Sequence, residues 1–230
     1  MQVASERTVE HSKQLAGEAL EAAASDIEYR AGRFQVAGTD LGIGLFDLAA
    51  KQKTARITVE GSATAGGPSW PNACHVCEVE VDPDTGAVEI VAYASVSDVG
   101  RIISPTIVRG QVEGGAVQGI GQALSEQVVY DPDGQLLTAS LMDYALPHVD
   151  VFRGFKTEFD TSVPCTTNVL GVKGVGELGT IGATPAVVNA VVDALASTGL
   201  GRKAEQVQMP LTAPVVWRAM QGEFEAVRLG

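Results

Sequence analysis

The sequence predicts an α+β fold, antiparallel hairpins packed with a few helices, and three observations carry that prediction. Residues 74–97, CHVCEVEVDPDTGAVEIVAYASVS, alternate along their length: Val76, Glu78 and Glu80 oppose Cys77, Val79 and Val81, and Asp82-Pro83-Asp84-Thr85-Gly86 supplies a turn, so the stretch reads as a β-hairpin. Further on, Val112, Ala116, Ile120 and Leu124 recur every four residues, which is one face of a helix. Thr184-Pro185 then opens the Ala/Val-rich run AVVNAVVDALAST, with an N-cap oxygen followed by proline at the first helical position.

The remaining elements follow in chain order. Residues 8–25 place Val9, Leu15, Ala16, Ala19, Leu20 and Ala23 at helical spacing with charges between them, an amphipathic helix. IEYRAGRFQV reads as two short strands around an Ala-Gly turn, and LFDLAAKQ as a short helix. TVEGSATAGGPSWPN is a Gly/Ser/Pro-rich loop. DVGRIISP is a polar turn leading into the helix of Val112. That helix carries glycines at 114, 115, 119 and 121. Each costs about 1 kcal/mol relative to Ala, so backbone or ligand must approach closely there. VVYDPDGQLLTAS is a strand and turn, followed by an irregular Pro- and Asp-rich stretch. With no internal repeat and no clear linker, residues 1–230 read as a single domain.

Composition narrows the functional classes. The chain has 230 residues, 45% of them hydrophobic and only 19% charged, which suits an ordered core. A formal net charge of -12 argues against a nucleic-acid surface, which needs clustered cations to neutralise phosphates. Cys74, Cys77 and Cys165 are too few to ligate an iron–sulfur cluster, and their odd number does not suit a disulfide framework. The first twenty residues lack the apolar run of a signal peptide, and no later stretch reads as a membrane span, so a cytoplasmic chain is expected.

The stretch LGVKGVGELGTIGATPAVVNAVVDAL, from Leu170, contains a literal G-x-G-x-x-G at Gly174, Gly176 and Gly179. A dinucleotide fold would need a helix directly after it and an acidic residue about twenty positions on; neither is present, so the fingerprint carries little. Cys74-His75-Val76-Cys77 resembles a redox or zinc pair, yet residues three apart on a strand face opposite ways and no second pair completes four ligands. His75 and His148 read as structural. Glu177 differs from these: it is a lone carboxylate between Gly176 and Leu178 in a nearly uncharged loop, and where solvent is excluded such a group suits acid–base work.

Three runs in order, PNACHVCEVEVDPDTGAVEI, DVGRIISPTIVRGQVEGGAVQGIGQAL with LMDYALP, and GVKGVGELGTIGATPAVVNAVVDAL, resemble the C-terminal part of the molybdenum-binding subunit of the xanthine dehydrogenase / aldehyde oxidase family. The resemblance is strong over about residues 70–200. It implies a C-terminal molybdopterin-binding domain and hydroxylation of an aldehyde or N-heterocycle with water as the oxygen source. Glu177 matches the general base of the family's V-G-E motif. Gln111 matches the glutamine of G-Q-V-E-G that hydrogen-bonds the pterin, a role suited to an amide, which donates and accepts at once. Gly176 would let backbone approach the cofactor and Gly174 would allow the turn. Ser104 stands where the family usually has Asn, and Lys173 also matches a family position, with a solvated lysine the equal alternative. No metal-ligating side chain is expected. The implied cofactor is molybdenum-molybdopterin, in its cytosine dinucleotide form. The family's upstream domain is absent from this chain, so the expected partners are a complementary molybdopterin-binding chain or domain and separate iron–sulfur and FAD subunits, and the chain should be inactive without them. The alternative is a non-catalytic assembly module that keeps the fold without the cofactor.

Overall fold

The computed structural model describes residues 1–148 and 154–224. His148 is the last residue before the gap. The chain divides into two compact units: Met1–Gly67 with Asn168–Leu170, and Pro68–Thr167 with Gly171–Gly230.

In the first unit, helix α1 (Gln2–Leu20) starts six residues before the segment expected from periodicity and ends at Glu21, whose φ of 55° is left-handed. Strands β1 (Ile27–Arg30) and β2 (Arg33–Val36) pair antiparallel, Ile27 opposite Val36 and Arg30 opposite Arg33. The expected Ala-Gly turn joins them, with φ positive at both Ala31 and Gly32, the backbone that matches the twist of a two-residue hairpin. Strand β3 (Gly42–Gly44) adds to β2 and runs into helix α2 (Leu45–Ala50). Ala16, Ile27, Phe34, Ile43 and Leu48 form the core of this unit.

The second unit is built on the expected long hairpin. Strands β4 (Asn72–Val81) and β5 (Val88–Asp98) pair antiparallel, with Cys74 opposite Val96 and His75 opposite Ser95. The Asp82 side chain accepts a 2.8 Å bond from the Asp84 N–H and closes the turn. A third strand, β6 (Lys156–Phe159), joins β5 in parallel. It falls in the stretch that reads as irregular, since four residues of KTEF are too short to show a period. The expected strand and turn at 128–140 is reduced to a single bridge between Tyr130 and Leu136.

Helices α3 (Pro105–Leu124) and α4 (Leu178–Leu195) pack together against the hairpin, and α5 (Ala213–Met220) closes the far end. The close approach expected at the glycines of α3 is found against α4 at Gly115 and Gly119 but not at Gly114, where a Cβ would meet nothing within 4 Å. A Cβ on Gly119 would lie 2.8 Å from the Ala183 Cβ, and one on Gly179 would collide with the Val112 carbonyl oxygen, so the two backbones touch. Thr180 and Thr184 then donate to the Gly115 and Gly119 carbonyls at 2.9 and 3.2 Å. The expected inward face of α3 is confirmed at Val112, Ala116 and Ile120, which are buried.

Two expectations are corrected. Helix α4 opens at Leu178, about two turns before Thr184-Pro185, and Pro185 lies inside it. The close fit to α3 holds residues 178–184 helical despite two glycines and a missing N–H. In addition, an 18-residue window of mean hydropathy 1.4 within the helical segments of Leu178–Gln206 is long and apolar enough to pass for a membrane span, where the sequence was expected to hold none. Val187, Val191 and Leu195 are nevertheless fully buried in the protein core, as in the central helix of a globular unit.

Candidate functional site

The segment before β4 and the loop before α4 face each other across a cleft of about 630 Å³. Ser69, Trp70, Pro71, Asn72 and Ala73 form one wall; Gly174, Val175, Gly176, Glu177 and Leu178, with Ile181 and Gly182 from α4, form the other. Most of the lining is apolar. Glu177 is its one carboxylate, and the indole of Trp70 is 74% exposed.

Glu177 is the N-cap of α4 by backbone position: its carbonyl accepts from the Ile181 N–H at 3.1 Å, while its side chain makes no capping bond. The carboxylate is thus left free for the cleft. The sequence reading expected little solvent to reach it, and that is corrected for this chain by itself: Glu177 is exposed, because the flanking Gly174 and Gly176 carry no side chains to cover it. Neither glycine has positive φ, and a Cβ on either would meet nothing within 4 Å. Nothing inside the described chain therefore requires glycine at these two positions, and the left-handed residue of the loop is Gly171, with φ 69°.

Lys173 is a paired lysine, not a solvated one. Its Nζ lies 2.5 Å from Asp98 Oδ2 and its side chain is 9% exposed. Asp98 also accepts from the Gly100 N–H at 2.9 Å. The hydrogen bond from Lys173, then that from Gly100, hold its carboxyl below the usual carboxylate range, and Asn72 on the opposite cleft wall contributes in the same direction. Asp98 therefore ties both walls of the cleft to the end of β5.

Ser104 is the N-cap of α3, with Pro105 at the first helical position and no side-chain cap bond. Gln111 is exposed on α3, one residue before the Val112 carbonyl that meets Gly179. The helix crossing thus brings the Gln111 end of α3 beside the first turn of α4. The structure does not place Gln111 or Ser104 in the cleft wall.

Sequence reasoning missed Trp70 and the partner of His75. The only signal for Trp70 was an aromatic set between serine and proline in a polar loop. His75 Nδ1 lies 2.6 Å from Tyr93 Oη, and Tyr93 stacks edge-on against Phe155 at 5.2 Å. Cys74 and Cys77 do point to opposite faces, one exposed and one half-buried, and burial pushes the Cys77 thiol up to about 11. Among the described residues, no three or more His, Cys, Asp or Glu side chains cluster so as to hold a metal ion.

Comparison with known proteins bears on this geometry. The family model for the molybdopterin cofactor-binding domain matches residues 1–152. The chain is 35% identical over 229 residues to the 6-hydroxypseudooxynicotine dehydrogenase complex subunit gamma of Paenarthrobacter nicotinovorans, an alignment covering 96% of this chain and 28% of the relative. Among solved structures, CO dehydrogenase from Oligotropha carboxidovorans superposes with a TM-score of 0.81 at 28% identity, over 96% of this chain and 28% of that one. Quinoline 2-oxidoreductase from Pseudomonas putida 86 gives 0.75 at 36% identity, over 94% and 28%. The chain therefore spans little more than a quarter of the length of these proteins. With the fold, the family model and the three ordered motifs in agreement, the chain belongs to the molybdopterin cofactor-binding domain family and is related to the molybdenum-binding subunits of the xanthine dehydrogenase group.

Proposed function

We propose that the chain, as a single C-terminal molybdopterin-binding domain, is one half-site of a molybdenum hydroxylase that oxidises an N-heterocycle or aldehyde with water as the oxygen source, and that Glu177 is its general base. The observation that carries the reading is the placement of Glu177: one uncapped carboxylate in an apolar cleft, on a loop whose two glycines leave the backbone bare on either side. A flat cofactor can approach such a backbone where a side chain would stop it. The residues present fit the group in this sense.

In this reading Gln111 offers its amide to the pterin, and Gly174 and Gly176 present backbone to it. Ser104 lies at the start of the same helix as Gln111. Lys173 acts from behind, bracing the loop through Asp98. The bound cofactor, in the cytosine dinucleotide form, supplies oxygen-transfer and two-electron chemistry; iron–sulfur and FAD partner chains carry the electrons away. Glu177 accepts, on a carboxylate oxygen, the proton released as water is activated. Between the two substrate classes the cleft favours a ring. The exposed indole of Trp70 on one wall offers a flat heteroaromatic molecule a stacking face that a small aldehyde cannot use. Two of the three similar proteins carry quinoline and 6-hydroxypseudooxynicotine in their names.

The test is Glu177→Gln in the assembled, molybdenum-loaded complex. Metal content should be unchanged and kcat should fall by ~10²- to 10⁴-fold, the usual contribution of a positioned base. Unaltered turnover at full molybdenum content would remove Glu177 from the chemistry.

A further inference from the structure

His75 projects from β4 toward α4 and has no part in the chemistry above. Its Nδ1 is 2.6 Å from the Tyr93 hydroxyl. Tyr93 is 3% exposed, and burial raises its phenol far above the ordinary value, while burial lowers the His75 imidazole. The pair is therefore a protonated phenol and a neutral imidazole sharing one hydrogen bond through Nδ1. Nε2 is buried and has no hydrogen-bond partner.

That same ring edge rests on the backbone of α4. A Cβ on Gly182 would lie 2.5 Å from His75 Cδ2 and 2.6 Å from Nε2, so only glycine admits the ring. Gly182 shares the cleft wall with Glu177, Leu178 and Ile181. The helix is weakest at this level, because Pro185 has no N–H to give the Ile181 carbonyl its helical partner. The fit to α3 holds this stretch through Gly179 and Thr180, and the His75 contact at Gly182 braces it from β4.

We infer that the Tyr93–His75 pair is a strut whose contact with Gly182 fixes the amino-terminal turn of α4, making His75 a positioning residue for Glu177. The effect on turnover rests on the role proposed for Glu177; the strut itself does not. A strut predicts a particular non-additivity. Gly182→Ala drives a methyl group into the imidazole and displaces the turn. In the His75→Ala background the same methyl enters vacated space, so the second substitution relieves the first.

The experiment compares the assembled complex as wild type, Gly182→Ala, His75→Ala and the double variant, by thermal midpoint, by the crystallographic position of residue 177, and by kcat per bound molybdenum with 6-hydroxypseudooxynicotine or quinoline as probe. In Gly182→Ala the Glu177 Cα should move by about 1 Å and kcat fall ~100-fold with little change in KM, the consequence of misplacing a reacting group by that distance. The double variant should recover about tenfold of the loss and return residue 177 towards its original place. Additive midpoints with residue 177 unmoved would overturn the strut, even if Glu177→Gln abolishes turnover and so upholds the base. If Glu177→Gln leaves turnover unchanged, the base falls while midpoints and positions still judge the strut. Should Gly182→Ala fail to assemble, His75→Ala alone decides: the turn settles into the vacated space and Glu177 shifts, or it stays and the inference is wrong.

Discussion

Lys173 Nζ is committed to Asp98, at the point where β5 gives way to the turn before α3. The sequence left a solvated lysine as an equal alternative because its partner lies 75 positions away in the chain. The pair also has a pH signature. The carboxyl of Asp98 is depressed in the folded state, so its contribution to stability is complete above the unfolded aspartate value of about 3.9 and is lost as pH falls through the lower folded value. Thermal midpoints of wild type and Asp98→Asn should therefore differ at neutral pH and converge as the pH falls well below ~4. A constant difference across that range would assign the loss to packing. Cys77 offers a second check at this scale. Its thiol is pushed up to about 11 by burial, so at neutral pH it is protonated and slow to alkylate, and the exposed Cys74 should take iodoacetamide first, as read by peptide mass spectrometry. Glu177 stands out in the sequence by its glycine neighbours, whereas its exposure was not legible, because nothing local to a loop says what packs over it.

The crossing of α3 and α4 sorts glycines that look alike in the sequence. Gly114 and Gly179 both sit in helices, but a Cβ on Gly114 meets nothing within 4 Å, whereas one on Gly179 collides with the Val112 carbonyl and approaches Ala116 N at 2.7 Å. Gly114→Ala should leave the midpoint unchanged or raise stability by ~0.5–1 kcal/mol through helix propensity. Gly179→Ala should cost about 1–3 kcal/mol, since backbone on both sides resists the added methyl. Denaturant unfolding of the two variants measures the contrast, and equal effects would mean that the helices do not touch as described. The same crossing explains the misplaced start of α4. Thr184-Pro185 is a sound local start signal, but it competes with six upstream residues of which Gly179 and Thr180 fit α3, a contact between positions some 65 apart. Local pattern found the helix; long-range packing set its first residue.

At the scale of the whole molecule, strong periods were readable and weak ones were not. The β4–β5 hairpin and the α3 face showed themselves because ten or more residues repeat one rule, while β6, four residues long, depends on β5 for its existence. The cleft was the least legible feature, since its walls come from residues 69–73 and 174–182 and neither wall alone implies the other. Its openness has a consequence for cofactor loading. Sites that hold a small molecule tightly bury most of its surface, whereas here Gln111 and Glu177 are both exposed and a Cβ on Gly174 or Gly176 would meet nothing. One wall of contacts gives up the shielding that strengthens hydrogen bonds in a low-dielectric site. On the half-site reading, the chain expressed by itself should purify with a negligible ratio of molybdenum to protein, and co-expression with the complementary chain or upstream domain should bring that ratio close to stoichiometric. Gln111→Ala in the assembled complex should then lower it measurably, because a hydrogen bond in an enclosed site is costly to leave unmade. Elemental analysis of the purified proteins decides both points. Full loading of the chain alone would mean that this domain encloses the cofactor without help, and undiminished loading of the Gln111→Ala complex would remove that glutamine from the cofactor's contacts.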